Sequence, residues 1–496
     1  MKNIFIIIIF IFSLILPAFA DKTELKNIQE YCQNCIQDET YFAFKEIIKG
    51  NASVSMLDKQ LLVDKENEKE LGSNFIYSDL ENCIKIALYK NFDIKIRDSY
   101  KEQAYWQNKN ALFSVLPNVY YNYDIRKLGG TYLVGGIVSD TTYESPIQSV
   151  AIIEWSIFNQ GKYFFAVSQS RNTYKANCSL LEYNKDEIIR DTTIAYYNLL
   201  EKKMEMRVQV INLYDRLEQL KYTEARYKAG LGTLYDVKRA QSELASAQQD
   251  YTSTLNALRL RQAVLANIIG VNVLSSIYPF EISVDRRELV NPNLSIDELY
   301  SHALQSREDI KAKLAEINVY RAKRSSNYTD FLPQGKISYQ NGQVGTAESG
   351  LNPNNSFTFD MNIPLGKNLL LGTITNIKAD SALVNAKKLE LVKLKRNIKQ
   401  NIISYYFDSE NALKKIQSSK FEVEAAEISL ELALSSMKAG DATFIDVISS
   451  QNLKVQANIN LIKNMIEYNR VQTMLLFETG LISSKSVLKD YQSKFY

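Results

Sequence analysis

Two stretches of this chain, 162–229 and 373–439, contain neither glycine nor proline. At ~1.5 Å per residue each predicts a helix of roughly 100 Å, against a usual helix of ~11–12 residues. A helix that long gains most of its stability from lateral packing rather than from propensity. Each stretch ends at a glycine corner, Ala229-Gly230-Leu231-Gly232 or Ala439-Gly440-Asp441, after which the chain returns as a second helix. The first returning helix carries Val237, Ala240, Leu244, Ala247, Tyr251, Leu255 and Leu258 at three- and four-residue spacing. The second carries a looser stripe of Phe444, Ile448, Val455, Ile459, Ile462 and Ile466. Such spacing predicts coiled-coil packing within two long α-helical hairpins.

The hairpins belong to a duplication. Leu80, Ala87-Leu88 and Asp93-Ile94-Lys95 are matched by Ile296, Ala303-Leu304 and Asp309-Ile310-Lys311, and Leu116-Pro117 by Leu332-Pro333, all at an offset of 216. Ile194-Ala195-Tyr196-Tyr197 is matched by Ile403-Ser404-Tyr405-Tyr406 at an offset of 209. Lys228-Ala229-Gly230 with Thr233, Asp236-Val237 and Gln241 recurs as Lys438-Ala439-Gly440 with Thr443, Asp446-Val447 and Gln451, and Gly270 as Gly480, at an offset of 210. Order is kept and the offsets barely drift, so the chain holds two structural copies, over 76–272 and 295–481, joined by 273–294.

Within each copy a helix of about 35 residues is expected to run up to the Leu-Pro pair, where proline closes it. Two short strands follow: Asn118–Arg126 and 147–158 in copy one, 335–340 and 356–363 in copy two. Their period is two. Val119, Tyr121, Tyr123 and Ile125 share a face, as do Phe357, Phe359, Met361 and Ile363, with Thr358, Asp360 and Asn362 opposite. Gly129-Gly130, Gly135-Gly136 and Asn352-Pro353-Asn354-Asn355 read as the intervening loops. Four strands cannot close a barrel, which takes about eight, so a barrel wall built from them must be shared between chains. Tyr120, Tyr121, Tyr123, Trp155, Phe357 and Phe359 are then candidates for its interfacial girdle.

The N-terminus supplies an address. Lys2, an apolar run from Ile4 to Leu16 and Ala18-Phe19-Ala20 form the three parts of a secretory signal, 1–20, too short to span a bilayer. An extension over 21–75 follows, and a tail over 482–496 closes the chain. With 59 basic and 56 acidic side chains the net charge is +3, which favours no nucleic-acid partner. One histidine, His302, and four cysteines leave no material for a histidine-rich metal centre or a cysteine cage, and no cofactor is implied. Cys32 and Cys35 read as a local disulfide or idle thiols, and Cys83 and Cys178 as small packing residues. No nucleophile–base pair stands out, so the chain does not read as an enzyme. A periplasmic coiled-coil adaptor or scaffold without a pore would also use long hairpins, but it has no need of two strand pairs with apolar faces.

The two-copy layout, the Leu-Pro strand entries and the Tyr-Lys-Ala-Gly-x-x-Thr-x-x-Asp-Val corner followed by Gln resemble the TolC-like outer-membrane efflux proteins over residues 76–481. The resemblance implies a homotrimer with a twelve-stranded β-barrel in the outer membrane, surrounded by lipid, and a trimeric α-barrel tunnel in the periplasm. It also implies an equatorial segment around 273–294. Such proteins are exit ducts for efflux of small molecules or for type I secretion, docked to a periplasmic adaptor and an inner-membrane transporter. By position Gly230, Leu231, Thr233, Asp236, Gly440 and Thr443 match the periplasmic tip, where the adaptor docks, and Asp446 matches an acidic ring at the pore constriction. Thr233 and Thr443 are equally suited to cap the returning helices. The chain departs from the family pattern with Ser449 in place of a second acidic residue, and with Met437 and Ala442 in place of the Tyr and Arg that tie the closed tip.

Overall fold

The computed structural model describes residues 75–488, apart from 126–128, 135–136, 143–145, 274–275, 280, 282–283, 347–349 and 364–370. The signal segment, the Cys32/Cys35 pair, Gly135-Gly136 and the end of the tail lie outside the described residues. In chain order the first copy runs β1 (Phe75–Ser78), α1 (Leu80–Lys90), α2 (Phe92–Phe113), β2 (Asn118–Ile125), β3 (Gly129–Val134), β4 (Ile137–Thr142), β5 (Pro146–Asn159), α3 (Lys162–Lys228) and α4 (Leu234–Ile269). A short strand, β6 (Ser276–Pro279), precedes the second copy: α5 (Ile296–Ser306), α6 (Glu308–Tyr328), β7 (Gln334–Thr346), β8 (Gly350–Asn362), α7 (Leu371–Ala439) and α8 (Phe444–Glu478). The chain divides into two units. The small one is the two-stranded sheet of β1 and β6; the other holds all the remaining elements.

The long helices are as expected, 67 residues in α3 and 69 in α7. The four-stranded sheet has the order β2-β5-β7-β8, antiparallel throughout. Asn118 pairs with Glu154, Asn159 with Gln334, and Gln334 with Asn362. These pairs bring the helix-bearing ends of all four strands to one edge of the sheet, so α2, α3, α6 and α7 all lie at that edge. The extended stretches of copy two are longer than the sequence suggests. Asn352-Pro353-Asn354-Asn355 is no loop but part of β8, paired with Val344, Gln343, Gly342 and Asn341. Within the chain β8 is an edge strand, the position in a sheet where proline is tolerated. Between β2 and β5 the chain adds a hairpin, β3 on β4, where only a loop was expected.

The 35-residue helices are each broken in two. In copy one the break is Asn91, whose side chain accepts from the amides of Asp93 (2.7 Å) and Ile94 (3.3 Å) and so caps α2. Its Nδ2 also donates to the Ile268 carbonyl at the end of α4, at 2.7 Å. In copy two the break is Arg307, which is buried and bound to Asp309 (3.0 and 2.8 Å) and to the carboxylate and carbonyl of Glu478 (2.6 and 3.1 Å). Asn401 on α7 donates to the other oxygen of that carboxylate at 3.0 Å. Neither break has a glycine or proline to announce it. Each is instead met by the duplicated glycine that ends the returning helix. Gly270 (φ 74°) faces Lys90 and Asn91, and Gly480 (φ 68°) faces Ser306 and Arg307.

The expected stripes are buried only in part: Val237, Ala240, Ala247 and Leu258 on α4 and Ile448 and Ile466 on α8 are buried, whereas Leu244, Tyr251, Leu255, Phe444, Val455, Ile459 and Ile462 are half-buried. Tyr196 and Tyr197 are core residues, with Tyr197, Leu200, Met204 and Ile466 in one cluster. Cys83 is fully buried, whereas His302 is exposed beside buried Ala303. The α3–α8 contact is different. Glu201, Glu205, Gln209, Asn212, Arg216 and Thr223 are all buried at near-heptad spacing. Arg470 pairs with Glu201, Lys463 lies 3.5 Å from Glu205, and Arg216 and Gln219 donate to Asn452 and Gln451.

A Cβ at position 270 would come within 2.8 Å of the Lys90 carbonyl oxygen, which is backbone and cannot step aside. At 480 the nearest atom, 2.6 Å away, is the Ser306 hydroxyl, which can rotate. Both glycines are in the left-handed region, so Gly270→Ala and Gly480→Ala are each expected to destabilise by about 1–3 kcal/mol. The larger loss is expected at 270. Thermal unfolding of the purified protein, followed by its helical circular dichroism, checks both the sign and the ranking.

Candidate functional site

The two corners are built alike. At the first, the left-handed Gly230 (φ 75°) lets the Leu231 amide reach back to the Arg226 carbonyl at 2.9 Å. At the second, Gly440 (φ 90°) does the same for Asp441 and the Ser436 carbonyl at 2.9 Å. Only glycine enters this conformation without strain, so the corner glycines are set by the reversal itself.

Thr233 and Thr443 then start the returning helices with complete capping boxes. The Thr443 hydroxyl accepts from the Asp446 amide (3.3 Å) and donates to the Asp446 carboxylate (2.7 Å), which also accepts from the Thr443 amide (2.8 Å). The copy-one distances are 3.2, 2.7 and 3.1 Å. The donated hydroxyl and amide hydrogen bonds hold the Asp446 carboxyl below the ordinary aspartate range, so it is an anion at neutral pH. Each Thr–Asp pair is thus brought together. Among the described residues, however, no hydrogen bond or ion pair joins one corner to the other. The first cross-links lie further along the hairpins, at Gln219–Gln451 and Arg216–Asn452. The corners also differ in surface. Past its glycine the first exposes Leu231, Leu234 and Tyr235, with Tyr227 exposed just before it; past its glycine the second, among the described residues, exposes Ile445 alone of the large apolar side chains.

At the other end of the long helices the four-stranded sheet is amphipathic. Pairing places Val119, Tyr121, Tyr123, Ile153, Trp155, Ile337, Tyr339, Phe357 and Phe359 on one face. Among them Val119, Tyr121, Tyr123, Phe357 and Phe359 are strongly exposed. The opposite face carries Glu154, which accepts from Tyr120 at 3.1 Å and pairs with Lys336 at 2.9 Å. Tyr120 therefore stands on the polar face and not in the aromatic girdle, a consequence of strand parity. The girdle's Trp155 instead donates to the Val115 carbonyl beyond α2, at 2.7 Å. Among the described residues no helix is long and apolar enough to cross a membrane. The sheet supplies the apolar surface.

Comparison with known proteins agrees with this architecture. Residues 138–271 and 299–475 match the family described as outer membrane efflux protein. The chain belongs to that family, and it is an outer-membrane protein. It is 21% identical over 310 residues to the outer membrane efflux protein BepC of Brucella suis, across 61% of this chain and 65% of that relative's length. Its fold is similar to that of the Campylobacter jejuni CmeC outer membrane channel (TM-score 0.72, 15% identity, 83% of this chain and 87% of that one). It is also similar to the outer membrane protein VceC of Vibrio cholerae (TM-score 0.67, 18% identity, 81% and 96%).

Sequence reasoning found the corner residues but missed the buried polar stripe of α3. Polar residues at near-heptad spacing read as a solvated face unless their partners are known. For the corners, Thr443→Ala removes both the cap and the hydroxyl donor to Asp446, at a cost of about 1 kcal/mol to the helix start. Amide exchange at 444–447 is expected to rise about fivefold, and far less elsewhere. The carboxyl's value is depressed in the folded protein, so its stabilising effect is complete at neutral pH and is lost only as pH falls through that lowered value. Between pH 7 and 5 the protection of these amides, taken against the exchange of an unstructured peptide at the same pH, is therefore expected to stay unchanged.

Proposed function

We propose that three copies of this chain share one twelve-stranded barrel and form an exit duct through the outer membrane. In this reading the α-helical tunnel meets a periplasmic adaptor and an inner-membrane transporter at its corners. The observation that carries it is the sheet: four antiparallel strands with one exposed apolar face, and with β2 and β8 each unpaired along one edge. An open edge in hydrocarbon leaves backbone N–H and C=O groups unsatisfied at several kcal/mol each, so the edges must be closed by sister chains. Two chains would give eight strands and a filled interior, and three give room for water. The relatives, an efflux protein and an outer-membrane channel, support the same reading.

The first corner, with Leu231 exposed and flanked by Leu234 and Tyr235, offers apolar surface for an adaptor, with Gly230, Thr233 and Asp236 fixing its shape. At the second corner Gly440 and Thr443 hold Asp446 as an exposed anion, which three-fold repetition turns into a single acidic ring favouring cations. The purified protein is expected to have three times the chain mass in detergent and to conduct in planar bilayers. Asp446→Asn is expected to reduce cation over anion selectivity without changing assembly. A non-conducting single subunit would overturn the duct, whereas unchanged selectivity would remove only Asp446 from it.

A further inference from the structure

The membrane surface of this chain does not end where its strands end. Each of the four helices at the sheet edge carries a large apolar residue near the sheet with more than half its surface in solvent: Phe113 on α2, Phe164 on α3, Tyr328 on α6 and Leu371 on α7. Each also carries a cation one or two turns further away on the same helical face. Lys109 precedes Phe113 by four residues, Arg324 precedes Tyr328 by four, Arg171 follows Phe164 by seven and Lys378 follows Leu371 by seven. Spacings of four and seven superpose side chains along a helix, about 6 and 10 Å apart. The order is reversed between helices that approach the sheet and helices that leave it, so depth below the sheet, and not a sequence motif, is what the four sites share.

These cations lack acidic partners. Among the described residues none of Lys109, Arg171, Arg324 and Lys378 forms an ion pair, although Lys109 lies over the Tyr105 ring at 5.4 Å, and the Arg324 Nε is buried without a hydrogen-bond acceptor. Nearby acids are already taken: Asp330 by Lys162 at 2.5 Å, and Asp380 by Lys323 at 3.2 Å and Asn327 at 2.6 Å. On α2 and α3 the apolar residues continue the sheet's apolar face, because Trp155 on that face bonds the Val115 carbonyl, and Tyr163, in ring contact with Phe164, reaches toward the Leu112 carbonyl at 3.5 Å. An apolar rim backed by unpaired cations at headgroup depth matches the acyl-to-phosphate step of a bilayer leaflet.

From this we infer that the two turns or so of these helices nearest the sheet form a collar that binds anionic phospholipid in the periplasmic leaflet of the outer membrane. The acyl chains lie against the apolar rim, and the phosphates meet Lys109, Arg171, Arg324 and Lys378. The collar rests on the sheet being the membrane wall and not on what the duct carries or docks to.

The chain's two tryptophans, Trp106 and Trp155, both sit at this junction and report on it. The full chain is placed in mixed phosphatidylglycerol–phosphatidylcholine vesicles in which one lipid or the other bears dibrominated acyl chains, and fluorescence quenching gives their relative binding. Phosphatidylglycerol is expected to be preferred about threefold or more at low salt, since each basic residue near an anionic surface favours binding. The preference is expected to fall toward parity in about 0.5 M salt. The combined Lys109→Gln, Arg171→Gln, Arg324→Gln and Lys378→Gln variant is expected to show parity at both salts. Exchanging lysine and arginine at the four positions is expected to keep the preference. Parity in the unmodified protein at low salt overturns the collar, and so does a preference that survives the glutamine variant. If the glutamine variant does not assemble, the salt series on the unmodified protein decides alone.

Discussion

The pairing of β5 with β7 is the joint on which the architecture depends. These strands come from different copies, and their ladder, running from Pro146–Thr346 to Asn159–Gln334 with one irregularity after Trp155, makes one sheet of two hairpins. Because the pairing is antiparallel, β5 delivers the chain to α3 at the edge from which β7 departs after α6. All four membrane-proximal helices are thereby held at one end, and the two long hairpins start from a common line. A parallel or slipped pairing would separate them. A shift of one residue between β5 and β7 would also set the face of Tyr121 and Trp155 in one hairpin beside the polar face of the other, parting them from Phe357.

Much of this was legible in the sequence because it depended on local rules. Runs without glycine or proline gave α3 and α7, glycine gave the corners, and alternation gave the sheet faces, since each signal acts over a few residues. What was not legible depended on partners distant in sequence. Asn91 and Arg307 break helices without a helix breaker, because their side chains are bound by α4 in one case and by Asp309 and Glu478 in the other. Asn352-Pro353-Asn354-Asn355 reads as a loop on composition, yet it is strand because β7 supplies a ladder for it. At the candidate site the same division holds. The Thr–Asp capping boxes were readable, each spanning only four residues, whereas the unequal surfaces of the two corners emerged only from burial.

The corner residues also show why a motif alone does not assign a role. Thr233–Asp236 and Thr443–Asp446 make equivalent capping boxes, so capping accounts for both pairs without any reference to a pore. What capping leaves unexplained is the contrast around them, with three exposed apolar side chains past the glycine at one corner and one at the other. Local stability is served equally in both copies, so the difference between copies is where a role beyond folding has to be sought.

The buried polar stripe of α3 bears on how two such long hairpins stay in alignment. Apolar coiled-coil seams, such as those within each hairpin, lose little when one helix slips by a heptad, because one apolar layer replaces another. Along α3–α8 the partners are not interchangeable: Glu201 meets Arg470, Glu205 meets Lys463, and Arg216 meets Asn452. A slip of one heptad would break the Glu201–Arg470 and Arg216–Asn452 contacts and leave Glu201 and Glu205 only Lys202 of their own helix as a partner. That loss applies along the length of the seam and far from the sheet. The β5–β7 ladder fixes the hairpins where they begin, and the polar stripe keeps them in register toward the corners.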